Sequence, residues 1–121
     1  MKIFTSYYKY IEMNPHGLVP VQISTSAPKW FPYYLEKLPE LYPGWDIVTL
    51  YKKGELTEEM YKKKYFDKLC LLRKEEILEK LKVFSIENGN RDIVLLCYER
   101  SEDFCHRHIV AEWLGGVYEL R

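Results

Sequence analysis

The sequence has no long hydrophobic run: nothing approaches the roughly 20 apolar residues that a membrane span needs, so no membrane partner is expected. It has no excess of one charge. Lys plus Arg number 18 and Asp plus Glu number 18, which excludes a polybasic nucleic-acid binder as a description of the whole chain. Cysteine is scarce at three, and the odd number fits reduced thiols in a cytoplasmic protein better than a disulfide framework. Met1-Lys2-Ile3-Phe4-Thr5 lacks a signal-peptide layout. Repeats, low-complexity tracts and linkers are absent, so residues 1–121 read as one domain. An apolar content of 47% argues against disorder, and 11 tyrosines are the compositional oddity.

The chain alternates strand and helix signals. Lys2 to Ser6 reads as a strand, and Leu18 to Ser24 as a second, with Pro20 favouring an edge because proline cannot donate to a ladder. Tyr7 to Gly17 has no clean period and ends in an Asn14-Pro15 turn. Phe31, Tyr34, Leu35 and Leu38 recur at helical spacing between Pro28 and Pro39. Asp46 is placed to cap a helix from Ile47 to Lys53. Thr57 is placed to cap another, whose apolar stripe is Tyr61, Tyr65, Leu69 and Leu72, widened by Phe66. A helix from Lys74 to Phe84 and the turn Asn88-Gly89-Asn90 follow. Ile93 to Cys97 is a continuous apolar run of strand length, as in a strand buried on both faces. Phe104 to Leu114 reads as a helix stopped by Gly115-Gly116, and Val117 to Leu120 as a last strand. The pattern predicts a three-layer α/β domain with a small, mostly parallel sheet.

Charge is uneven along the chain. Residues 51–82 hold ten basic and seven acidic residues, whereas residues 83–121 hold four and seven. Lys62-Lys63-Lys64 could touch phosphate, but Glu58 and Glu59 stand four residues before Lys62 and Lys63, and a solvated helix face explains the run better.

The reactive residues gather at one strand–loop–helix junction. The strand ends at Cys97, Glu99 lies in the loop, Asp103 can cap the helix, and Cys105, His106 and Arg107 enter its first turn. Ligands of open α/β sheets bind beyond the carboxyl ends of strands, and helix N-termini favour anions. The same field lowers a thiol's pKa, which suits Cys105 as a nucleophile. His106 or Glu99 is then the acid–base partner and Arg107 the anion holder. Cys105, His108 and Glu112 share a helix face at i, i+3 and i+7. The competing reading is a small buried cysteine under the helix, with a polar corner that only braces the fold. A cysteine-phosphatase loop is excluded, because the residue six positions on is Asp103 from Cys97 and Ala111 from Cys105, neither an Arg. Zinc is not expected either: Cys97, Cys105, His106 and His108 lack the paired spacing of an efficient chelate. No cofactor is expected. Cys70 reads as core.

The segment Leu95 to Leu114, L-L-C-Y-E-x₄-F-C-H-R-H-I-V-A-E-W-L, resembles the signature of the family known as domain of unknown function 488. Thr5-Ser6-Tyr7, Val21-Gln22-Ile23-Ser24, Pro28-Lys29-Trp30-Phe31, and Tyr51-Lys52-Lys53-Gly54 with Tyr61 and Tyr65 resemble other parts of that family in order. Tyr7 to Gly17 lacks the family's G-H-S form, so no role is carried onto it. The resemblance implies a Rossmann-like sheet with helices on both faces. It also implies a pocket from Ser6, Ser24, Cys97, Glu99, Cys105, His106 and Arg107, and it supplies no reaction. The first reading is an enzyme for a small anionic or nucleotide-like ligand. The rivals are a nucleic-acid or nucleotide-binding module, in which tyrosines such as Tyr7, Tyr8, Tyr33 and Tyr34 stack bases, and a structural or regulatory protein. Oligomeric state is not legible.

Overall fold

A computed structural model describes residues 1–98 and 105–120. The strands are β1 (Ile3–Tyr7), β2 (Val19–Gln22), β3 (Glu36–Lys37), β4 (Ile93–Cys97) and β5 (Val117–Glu119). The helices are α1 (Tyr8–Met13), α2 (Trp45–Lys52), α3 (Glu58–Leu69), α4 (Lys74–Glu87) and α5 (His106–Leu114), with a 3-10 turn at Pro39–Leu41. The five strands form one sheet in the order β3-β2-β4-β1-β5, and every pairing is parallel. This is the expected three-layer, Rossmann-like α/β architecture.

β4 is central, and all five of its residues are buried. Ile93 and Leu95 face a core built with α2–α5 residues such as Tyr61, Tyr65, Leu81 and Val110. Val94 and Leu96 face a smaller core with Tyr8 and Ile11 of α1 and with Phe31 and Leu35. Burial on both faces is why this strand reads as an unbroken apolar run. The crossovers obey one hand. Those running toward the β3 edge, β1 to β2 and β2 to β3, use the α1 face. Those running toward the β5 edge, β3 to β4 and β4 to β5, use the α2–α5 face.

Pro20 sits in an interior strand, not at an edge, yet its missing N–H costs no ladder bond. Val19 and Ile23 donate to Asp92 and Leu96, so alternation turns the Pro20 nitrogen toward β3. β3 pairs only from Val21 onward. The helix expected from Phe31 to Leu38 is not formed. Phe31 and Leu35 pack on one face of the sheet and Leu38 on the other, so the apolar spacing belongs to an extended chain passing an edge. Tyr8–Met13, which showed no period, is a short helix. α2 begins one residue before Asp46, after Gly44 at φ 95°, so Asp46 lies in the first turn and is not the cap.

Thr57 caps α3 as expected, its hydroxyl accepting from the Met60 amide at 3.1 Å. Lys63 pairs with Asp67 at 3.1 Å, which places the lysine run on a solvated face. Phe66 of the expected stripe is exposed. Cys70 is exposed at the α3 C-cap, not core. Two ties hold the chain before α2 against α3: the Tyr65 hydroxyl donates to the Leu41 carbonyl, and Lys68 donates to the Pro43 carbonyl at 2.8 Å. Among the described residues, no helix is long and apolar enough to cross a membrane.

Candidate functional site

The connections leaving β2 and β1 take one face, and the connection leaving β4 between them takes the other. β4 is therefore flanked by two switch points, the places where open α/β sheets bind ligands. The first turn of α5 straddles both. Its starting point is fixed from behind: Ile109, Val110, Trp113 and Leu114 bury its apolar face in the larger core.

Toward β2 the crevice is open. A cavity of about 480 Å³ lies there, within the roughly 300–1,000 Å³ range of small-molecule sites. Ser24, Thr25 and Ser26, just past β2, form one side. Pro43 with Trp45, Val48, Tyr51 and Lys52 of α2 form another, and Tyr61, Tyr98, Cys105 and His106 contribute the rest. The Thr25 hydroxyl accepts from the Gly44 amide at 3.1 Å, which ties the start of α2 to this loop. A side chain at Gly44 would meet the Asp46 carboxylate at 2.7 Å. The Ser24 hydroxyl donates to the Ser26 carbonyl at 2.6 Å, so its bond to the Tyr8 hydroxyl, also 2.6 Å, has Tyr8 as donor.

His106 is buried, its ring edge-on to Tyr65. Its Nε2 lies 2.7 Å from the Ile23 carbonyl oxygen. A carbonyl only accepts, so Nε2 carries the proton and the Nδ1 lone pair is left to face Cys105 Sγ at 3.9 Å. Burial lowers the His106 pKa from 6.5 to about 4; the Ile23 bond opposes this, and the charges of Arg107 and His108 add to it. The imidazole is neutral at pH 7. Burial, the largest cause, disfavours charge of either sign; of the causes only the neighbouring positive charge of Arg107 would favour an anion.

Toward β1 the crevice is filled. Arg107 is fully buried, its guanidinium 5.7 Å from the Tyr7 ring centroid, and Nη1 donates to Cys97 Sγ at 3.4 Å. Cys97 and Cys105 are joined by a disulfide. That corrects the expectation of reduced thiols: β4 and α5 bring two cysteines, eight residues apart, together at the carboxyl edge. In this state Cys105 is not a free thiolate. Cys97, Cys105 and His106 present donor atoms within 4.8 Å of one another, the one cluster among the described residues that could hold a metal. The guanidinium against Cys97 opposes a dication there.

The remaining expected site residues separate. Ser24, Cys105 and His106 meet at the cavity, whereas Cys97 and Arg107 lie behind it. Arg107 therefore does not face the space it was expected to serve as anion holder. Ser6 is buried, and its hydroxyl donates to the Leu120 carbonyl at 2.7 Å, bracing the chain after β5. Glu112 is exposed near the far end of α5 and does not line the cavity. Glu99 and Asp103 lie outside the described residues. Sequence reasoning passed over Thr25, Ser26 and Trp45, and Tyr98 had only its place in the family signature to mark it. Tyr51, Lys52 and Tyr61 had only their place in the family resemblance to mark them.

Sheet order, crevice and buried Cys-His-Arg cluster define a Rossmann-like α/β protein with a cysteine–histidine pair at its carboxyl edge. Residues 14–116 match the model DUF488-N3a, described as the active DUF488-N3 subclade, and the chain belongs to the DUF488 family. Neither a curated protein nor a solved structure matches it.

Proposed function

We propose that the protein is an enzyme that binds a small anionic, nucleotide-like molecule in the β2/β4 crevice, with the Cys105 thiol as its reactive group. The observation that carries this reading is the cavity lining. Cys105 and His106 share it with aromatic faces, three hydroxyl residues and the Lys52 ammonium. Aromatic faces stack planar rings, and an ammonium suits a phosphate or carboxylate. Lys52 takes the anion-holding role that Arg107, enclosed behind the cavity, does not have access to.

Once reduced, Cys105 can donate its S–H to Nδ1 of His106. An imidazole with a pKa near 4 is a poor proton store at pH 7, so His106 orients the sulfur more than it takes the proton. The thiolate is favoured by the start of α5, where Cys105 is the N-cap. The description of the matching subclade as active accords with an enzyme.

The test is calorimetric titration of reduced protein with adenosine and uridine monophosphates. Saturable binding that falls at least about tenfold in Tyr51→Ala is expected, since base–aromatic stacking supplies roughly 1–3 kcal/mol. Absence of saturable binding for both nucleotides overturns the reading.

A further inference from the structure

We propose that the Cys97–Cys105 bond is a directional thiol–disulfide exchange couple: a small-molecule thiol attacks Cys105 from the cavity, and Cys97 departs as a thiolate against Arg107. Exchange depends on which sulfur can be reached and on how well the other leaves. The two sulfurs differ in both respects. Both are buried, at 2% exposure for Cys105 and 0% for Cys97, but Cys105 lines the cavity and Cys97, at the end of β4, does not. Arg107 Nη1 donates to Cys97 Sγ, not to Cys105. A guanidinium stays charged at any working pH and lowers the basicity of a thiolate it touches, which makes Cys97 the better leaving group.

The exchange balances without a further reagent. The external thiolate forms an S–S bond to Cys105 as the Cys97–Cys105 bond breaks, and the electron pair goes to Cys97. A second external thiolate then attacks the sulfur of the bound small molecule and releases the Cys105 thiolate. Two small thiols are oxidised to their disulfide, and the protein disulfide is reduced to two thiols. The mixed-disulfide intermediate sits in the cavity, whose hydroxyls and Lys52 suit a polar, acidic thiol such as glutathione.

This exchange uses no nucleotide, so its failure and that of the ligand reading are separately visible. The experiment uses Cys70→Ser protein, which lacks the exposed third thiol. In the added Cys97→Ser variant, oxidised glutathione is expected to leave a mixed disulfide on Cys105, mapped by peptide mass spectrometry. In the added Cys105→Ser variant, Cys97 is expected to stay unmodified over the same time. With both cysteines present, reduction by glutathione is expected to slow about tenfold in Arg107→Gln and to recover in Arg107→Lys. Glutathione on Cys97 to an equal or greater extent overturns the proposal, as does an unchanged reduction rate in a folded Arg107→Gln protein. The mapping leaves Arg107 intact and decides which sulfur is attacked even where the arginine variants fail to fold.

Discussion

The two crevices beside β4 share a strand and a helix turn but are built oppositely. Toward β2, hydroxyls, aromatic rings and one ammonium surround open space, and neutral His106 turns its lone pair to Cys105. Toward β1, a guanidinium is packed on Tyr7 and Cys97, and Ser6 closes the edge to Leu120. Consecutive residues of α5 thus serve different ends. His106 lines the open space, and Arg107 is packed behind it against one sulfur. A Cys-His-Arg sequence is therefore not one constellation with three equivalent members.

Substitutions can break this contrast in a graded way. Arg107→Ala empties the filled crevice and should cost about 3 kcal/mol of stability, as truncation of a large buried side chain does, read as a lowered urea midpoint. The open crevice should reveal itself through pH. From pH 6.5 down toward 4 the unfolded chain binds a proton at His106 that the folded chain refuses. Stability should therefore be full above pH 6.5 and fall by up to roughly 3 kcal/mol as acid is added. His106→Gln, which keeps a donor for the Ile23 carbonyl, should flatten that part of the urea–pH profile. Away from both crevices, Thr57→Ala removes the α3 cap and should cost about 1 kcal/mol, with cysteine reactivity unchanged. Smallest in stability is Lys52→Gln, an exposed change expected to stay within about 0.5 kcal/mol while weakening nucleotide binding.

These differences were unevenly visible in the sequence. β4 and α3 follow from local rules: an apolar run of strand length, and a capping threonine before a helical stripe. The junction at Cys105-His106-Arg107 was visible because reactive residues cluster at a strand-to-helix transition. The division of that cluster was not, because which side each residue faces depends on strand order, a long-range property. The cavity wall was hidden for the same reason, with Trp45, Ser26 and Tyr98 arriving from three separate segments. The helix expected over residues 31–38 failed because its apolar residues serve opposite faces of the sheet. α1 was passed over because a six-residue helix with two buried positions is too short to show a period. Cys70 was misplaced because a helix end looks like helix core in a sequence.

The most direct measurement is the time course of iodoacetamide labelling of fully reduced Cys70→Ser protein at pH 7, resolved by peptide mass spectrometry. Cys105, facing the open crevice, should label at least about ten times faster than Cys97 and faster than a model thiol. Equal rates at the two cysteines, or a Cys105 no faster than the model thiol, would contradict the division of the site between an open and a filled crevice.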